Sequence, residues 1–278
     1  MHLFIRIAIV IMQKYLQVFK ISFAQEFAYR VNFIMWRVRN LLQIFLVFFL
    51  WSTVFSDPND IIFGYNRDKI LTYVFGILIM KSLVLSSRVV DVSGEISRGD
   101  LTNYLLKPVN YFKYWFTRDL SSKALNLGFA VFEFLLLYLV LKPSLFFQTE
   151  IIQLAGFSII TLLAIFLFFV LLFIISFVPF WAPELGWGVQ FLIIVVATEF
   201  LSGGLFPLDI LPSGIQGFLY LTPFPYLIFF PLQVFLGKVT GLALIKGILI
   251  SISWSLILFY LMKRLWYKGL LVYRAEGR

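Results

Sequence analysis

Four charged residues interrupt the apolar segments of this 278-residue chain: Lys81, Glu133, Glu199 and Lys246. A charge at the centre of a bilayer costs about 2.5–3.5 kcal/mol on insertion scales, so such residues usually face a bundle interior, a partner or a wet path. Matched depth along the segments and opposite sign predict the pairs Lys81–Glu133 and Glu199–Lys246. Pairs that merely hold a helix bundle together and pairs that take part in transport fit this pattern equally well.

Few other residues of the chain have the chemistry of a catalytic or metal site. There is no cysteine, and the single histidine, His2, lies at the N-terminus. Thiol catalysis, disulfides, histidine-based triads and multi-histidine metal sites are therefore excluded, and we expect no catalytic residue and no metal ligand. The sequence also lacks the G-x-x-x-x-G-K-[ST] loop that cradles phosphates, so any ATP must be hydrolysed by another polypeptide. The sequence LSGGL at residues 201–205 looks like the signature of ABC ATPases, but it ends an apolar span and we interpret it as a coincidence.

The composition places these residues in a membrane protein. Hydrophobic residues make up 61% of the chain and charged residues only 13%, whereas soluble domains carry about 25% charged residues. The net charge of +9 would suggest nucleic acid as the partner of a soluble protein, but here the positive-inside bias of membrane topology accounts for it. We therefore expect an all-α membrane protein, with one transmembrane domain over residues 1–278 that contacts lipid and not nucleic acid.

Apolar runs of about 20 residues, the length that a ~30 Å hydrocarbon core requires, predict six transmembrane helices. The predicted spans cover residues 38–55, 70–90, 124–141, 151–178, 187–206 and 239–262. Before them, polar residues recur at helical spacing on one face, so residues 1–30 are expected to form a helix in the membrane interface. Seventeen lysines and arginines lie in the N-terminal flank, in residues 88–123 and in the C-terminal tail, against four in the other connections. This asymmetry predicts that both termini are cytoplasmic.

Two connections have an unusual composition. Half of the ten prolines fall in residues 203–237, an apolar stretch that cannot be one straight span because proline blocks a continuous helix. Short broken helices that dip into the outer leaflet fit this stretch better. The other segment, EISRGDLTNYLLKP at residues 95–108, alternates charged and apolar residues, which predicts a short amphipathic helix that Pro108 ends. Composition alone leaves docking onto a partner and anchoring at the interface as equal alternatives.

In these two segments the chain resembles the permease subunits of ABC-2-type transporters, in particular the bacterial branch without a fused ATPase that is related to daunorubicin-resistance-type exporters. The first segment matches the family pattern E-I-x-x-G-x-L-x-x-x-L-L-x-P at Glu95, Ile96, Gly99, Leu101, Leu105, Leu106 and Pro108. The sequence LSGGLFPLDILP at residues 201–212 is similar to G-x-x-x-P-L-x-x-L-P, with matches at Gly203, Pro207, Leu208, Leu211 and Pro212. The order of the predicted elements is also that of the family.

The resemblance implies roles and partners for these residues. Residues 93–108, which include Arg98, would be the coupling helix that enters a cleft on a separate ATP-binding subunit. Residues 205–235 would be an extracellular re-entrant hairpin that closes the pathway. The resemblance further implies two permeases, identical or homologous, two ATP-binding subunits that carry ATP and Mg²⁺, and export across the bacterial cell membrane.

The four intramembrane charges match no motif of that family. They leave an alternative function open, an ion-driven secondary carrier in which Lys81, Glu133, Glu199 and Lys246 relay protons or ions.

Overall fold

The computed structural model describes residues 2–28, 30–57, 60–185, 190–191, 194 and 196–273, and over these residues the chain forms helices and no strands. The all-α prediction is confirmed for this part of the chain. The α-helices, numbered in chain order, are α1 His2–Ala28, α2 Arg30–Val54, α3 Arg67–Met80, α4 Asp91–Ser97, α5 Thr102–Leu105, α6 Tyr111–Leu141, α7 Ile151–Ser176, α8 Ser213–Tyr220, α9 Phe229–Phe235 and α10 Gly241–Val272. Two further segments, Lys81–Leu85 and Val196–Leu201, are π-helical.

Four described helices are long and apolar enough to cross a membrane, over Arg37–Val54, Tyr111–Leu141, Ile151–Phe180 and Gly241–Val272. A fifth candidate is bent, because Arg67–Leu85 and Arg88–Ser97 meet at 45°. These candidates overlap five of the predicted spans. The remaining one, at 187–206, includes six residues outside the described ranges, and its described part contains the π-helical segment Val196–Leu201.

Helix α7 forms the centre of the bundle. It contains no charged residue, and half of its apolar stretch is buried inside the protein. It packs against α10 along its length. At one end, aromatic rings form the contact: the ring centroid of Phe177, the residue after α7, lies 5.5 Å from that of Trp266 in α10. Trp266 also stacks on Tyr111 at the start of α6, with ring centroids 4.9 Å apart. Because lipid tails are as apolar as these side chains, close packing rather than hydrophobic burial stabilises the arrangement.

The N-terminal helix α1 packs along α6 at the end of the bundle that also holds α4 and α5. The ammonium group of Lys14 donates to the carbonyl of Pro108 at 2.6 Å, and the carboxylate of Glu26 pairs with Arg88. Helix α1 agrees with the helix predicted for residues 1–30 and contacts the rest of the protein, while its place in the membrane interface stays a prediction. We call this end of the bundle, formed by residues 88–123 and 263–273, the basic end. The opposite end contains residues 142–150 and 203–240.

The Pro-rich segment, residues 203–237, folds as short helices. Six of the seven residues of α9 are buried, so this helix lies inside the bundle at the opposite end. Glycines on two neighbouring helices leave room for its side chains. An added Cβ at Gly76 of α3 would lie 2.5 Å from Leu232, and one at Gly247 of α10 would lie 1.9 Å from the ring of Phe230. At Gly247 an added methyl group would overlap three carbons of a rigid ring, whereas at Gly76 it would meet only the flexible end of Leu232.

We predict that Gly247→Ala destabilises the protein, since its Cβ would overlap the Phe230 ring. Extra volume forced into a packed core costs about 1–3 kcal/mol. The matched control is Gly128→Ala, also within a long helix, where the added Cβ would meet no atom within 4 Å. Thermal unfolding of the two purified variants in detergent measures the difference. Equal melting temperatures would contradict the packing of α9 against α10.

Candidate functional site

The amphipathic segment, residues 93–108, forms two short helices where the sequence predicts one. Gly99 ends α4, because its φ of +78° is a left-handed conformation that glycine adopts without strain. After this turn α5 begins at Thr102, and it ends at Leu105, before Pro108. The turn directs the two helices differently, so the side chains of the motif separate into an inner and an outer set.

The inner set anchors the amphipathic segment in the bundle. Ile96 and Leu101 are buried, and Leu101 is completely inaccessible to solvent. Glu95 is also buried, and its carboxylate accepts a hydrogen bond of 2.8 Å from the hydroxyl of Tyr111 in α6. Burial, and then the nearby charge of Glu95, raise the pKa of Tyr104 above its ordinary value, so this phenol stays protonated. These contacts fix α4 and α5 to the start of α6.

The outer set points away from the bundle. Leu106 is 81% exposed and Leu105 is 46% exposed. Arg98 and Pro108 are exposed as well, and the guanidinium of Arg98 donates to Asp100 at 3.0 Å. One set of motif side chains is therefore part of the bundle, and the other set exposes apolar and charged groups at its surface.

Glu133 pairs with a residue that the sequence did not single out. Arg37 of α2 holds it in a bidentate pair, with Nε and Nη2 each 2.6 Å from a carboxylate oxygen, and also donates to Ser82 at 3.2 Å. The predicted pair Lys81–Glu133 is therefore wrong. The planar guanidinium satisfies both carboxylate oxygens at once, which the point charge of lysine cannot do.

Lys81 binds Glu199 instead. Its ammonium lies 2.7 Å from Oε2 of Glu199, and the side-chain amide of Gln43 donates to the same oxygen at 2.8 Å. The predicted pair Glu199–Lys246 is also wrong, since Lys246 is exposed on α10. Both partners of the observed pair lie in π-helical segments, whose wide turns are frequent at functional sites.

The two ion pairs differ in how completely the protein covers them. The side chains of Arg37 and Glu133 are 7% and 5% exposed, whereas those of Lys81 and Glu199 are 12% and 16% exposed. The protein therefore covers the first pair, between α2 and α6, almost completely. The side chains of the second pair remain partly accessible at the surface of the bundle.

A polar cluster that the sequence did not reveal fixes the Pro-rich segment at the opposite end. Asp209 accepts hydrogen bonds from the hydroxyl of Tyr65 at 2.9 Å and from the ammonium of Lys238 at 2.7 Å. That ammonium also lies 3.3 Å from the centroid of the Tyr65 ring, and Gln233 of α9 donates to the Tyr65 hydroxyl. Burial, and then the charge of Asp209, raise the pKa of Tyr65 well above its ordinary value, so the hydroxyl remains a donor.

The second motif leads into this cluster. Gly203 has a φ of +81°, and its carbonyl accepts a hydrogen bond of 2.8 Å from the hydroxyl of Tyr73. A Cβ at Gly203 would lie 2.6 Å from that hydroxyl, so both backbone and packing require glycine. Pro207 and Leu208 are buried, Leu211 is half-buried and Pro212 is exposed.

Comparison with known proteins adds one positive finding. A family model described as an ABC-2 family transporter protein matches residues 41–277, which is most of the chain. No curated protein matches the chain significantly. The matched region includes both motifs and the pair Lys81–Glu199. Arg37 and the helix α1 precede it.

We predict thermodynamic coupling between Lys81 and Glu199 but not between Lys246 and Glu199. Lys81→Met and Glu199→Gln each leave a poorly solvated partner, so the double variant should lose less stability than the sum of the single variants. The expected coupling is about 0.5–3 kcal/mol.

Lys246→Met combined with Glu199→Gln is the matched control and should be additive within about 0.5 kcal/mol. Unfolding in a fixed detergent, by heat or denaturant, measures both cycles. Equal coupling for the two lysines would show that Glu199 does not pair as described.

Proposed function

Since the chain belongs to the ABC-2 family of transporter proteins, we propose that it is the permease subunit of an ATP-driven exporter in a bacterial cell membrane. Two such permeases, identical or homologous, assemble with two copies of a separate ATP-binding subunit. ATP and Mg²⁺ bind to that subunit, because the sequence of this chain has no phosphate-binding loop. The permease supplies the route across the membrane and performs no chemistry itself.

The exposed leucines of the amphipathic segment are the observation that carries this proposal. Leu105 and Leu106 project from the basic end, while the inner face of the same segment is fixed to the bundle. Adjacent exposed apolar side chains with a polar rim mark sites that contact another protein or the membrane. We assign them as the contact with the ATP-binding subunit. A partner that binds there and moves would displace the segment as a unit.

Such a displacement would reach the membrane through the bend that precedes α4. The ammonium of Lys123 in α6 donates to the carbonyls of Val84, at 3.0 Å, and Ser86. On the other side, Ser176 of α7 donates to the carbonyl of Val89 at 3.1 Å. Two long helices therefore hold the backbone on either side of the bend. ATP-driven closure of the partner subunits would shift these helices between two packed arrangements.

We assign the Pro-rich segment as the extracellular hairpin that closes the pathway. The hydrogen bond from Tyr65 to Asp209 ties this segment to the loop before α3, and the ion pair of Asp209 with Lys238 ties it to the turn before α10. The side chains of Asp209 and Lys238 are about one-fifth exposed, so water can replace these contacts when the hairpin moves.

The proposed orientation predicts a pattern of cysteine labelling. The chain has no cysteine, so a single introduced cysteine reports without background. We expect Ser213→Cys, at an exposed residue of α8, to react with a membrane-impermeant maleimide on intact cells. Asn103→Cys, at an exposed residue of α5, should react only after permeabilisation. The reverse pattern would overturn the orientation.

We predict that Leu106→Asp abolishes binding of the ATP-binding subunit and leaves the melting temperature of the permease unchanged. The side chain is 81% exposed, so the substitution disturbs a contact surface and not the core. The matched control is Leu271→Asp, at a leucine 87% exposed near the end of α10, which should retain the complex.

Copurification of the two subunits and the ATPase activity of the complex in nanodiscs provide the measurements. A stable, ATPase-active complex with Leu106→Asp would show that the amphipathic segment is not the docking element. The buried Leu101 is unsuitable for this test, because a charge there would disrupt the permease itself.

A further inference from the structure

We propose that the basic end carries a binding site for an anionic phospholipid. The site is a cleft of about 280 Å³ between α5, the start of α6 and the last turns of α10. Its walls include Leu105, Asn110, Phe112, Lys263, Trp266 and Tyr267. Leu105 also belongs to the docking surface proposed above, whereas Leu106, which is 81% exposed, does not line the cleft.

The depth of the cleft matches the head groups of a lipid leaflet. Lys263 follows Gly241, the first residue of α10, by 22 positions. At 1.5 Å per residue this places Lys263 about 33 Å along the helix, just beyond a hydrocarbon core of ~30 Å. The aromatic residues Trp266 and Tyr267 lie one turn further, where aromatic side chains concentrate at membrane interfaces.

The exposed face of α10 provides a path for the acyl chains. Leu256, Tyr260, Lys263 and Tyr267 follow one another at spacings of four, three and four, so they lie on one face of the helix, and all four are exposed. The apolar members of this stripe lead from the cleft toward the middle of the span. A lipid with its head group beside Lys263 would therefore lay its tail along Tyr260 and Leu256.

The polar groups of the cleft fit an anionic head group. Lys263 contributes an ammonium, and none of the described residues that line the cleft is acidic. Lys107 does not line the cleft but adds a second cation near it, since its ammonium lies 5.6 Å from the centroid of the Tyr104 ring, which does line it. The side-chain oxygen of Asn110 accepts from the backbone N–H of Lys113, which leaves its NH₂ group as a donor. Basic pockets between helices on the cytoplasmic side are typical sites for anionic lipids.

The test uses the purified full-length permease and two lipids with the same acyl chains, phosphatidylglycerol and phosphatidylcholine. Native mass spectrometry counts the lipid molecules that each variant retains. We expect the wild type to prefer phosphatidylglycerol, and Lys263→Gln to lower its affinity for this lipid about five-fold, the effect of one lysine near an anionic surface.

Arg264→Gln is the matched control. It removes the same charge from the next residue of α10, which is exposed but does not line the cleft, and it should leave the preference unchanged. Equal losses in the two variants would mean that general surface charge, and not the cleft, attracts the lipid. A wild type without preference for phosphatidylglycerol would overturn the proposal directly.

Two further outcomes would assign the cleft to another ligand and overturn the proposal. Glycerol 3-phosphate in solution should not displace phosphatidylglycerol, and displacement would indicate a site for a soluble phosphate. In nanodiscs of phosphatidylcholine alone, Lys263→Gln should not weaken copurification of the ATP-binding subunit. If it does so while lipid binding is unchanged, the cleft receives an acidic segment of that protein.

Discussion

The absence of water from the hydrocarbon core is the constraint on which this structure depends. A charge or an unpaired backbone group there has no solvent to bind, so its partner must come from another helix of the bundle. Arg37–Glu133 joins α2 to α6, and Lys81–Glu199 joins the second apolar helix to the π-helical segment before the Pro-rich stretch. Each pair therefore specifies a neighbour as well as satisfying a charge. Loss of one partner would destabilise the bundle more than replacement of both by apolar residues.

The same constraint explains which parts of the fold are predictable from sequence. A single apolar segment of about 20 residues can satisfy its own backbone in lipid only as a helix, so run length and composition suffice to predict an all-α protein and the positions of five candidate spans. The pairing of charges was not predictable by the same reasoning. The predicted first span begins at residue 38 and leaves Arg37 in the N-terminal flank, whereas α2 begins at Arg30. Depth matching also assumed regular helices, and the π-helical turns at Lys81 and Glu199 change the direction of both side chains.

At the candidate site, the sequence predicted local features better than distant contacts. The motif located the amphipathic segment, and its Gly99 is the residue whose backbone ends α4, a signal that could have predicted two helices. Nothing periodic relates Tyr65 to Asp209, which are 144 positions apart and meet only after the Pro-rich segment folds back. The burial of motif residues such as Leu101 is equally unpredictable from the sequence. An alternating pattern shows that a helix has two faces, but not which face contacts the bundle.

Because the amphipathic segment is anchored to the bundle, any motion of it must displace the helices that hold it. Its inner face is fixed by Leu101 and by the hydrogen bond between Tyr111 and Glu95, so α4 and α5 cannot slide over the bundle. The bend before α4 is held by Lys123, whose ammonium caps carbonyls that the broken helix leaves without intrahelical donors. A packed bundle rearranges between discrete states and does not deform continuously. Displacement of this segment would thus move α6, which carries both Tyr111 and Lys123, or break those contacts. Because α6 also carries Glu133 and its sealed pair with Arg37, α2 would move with it.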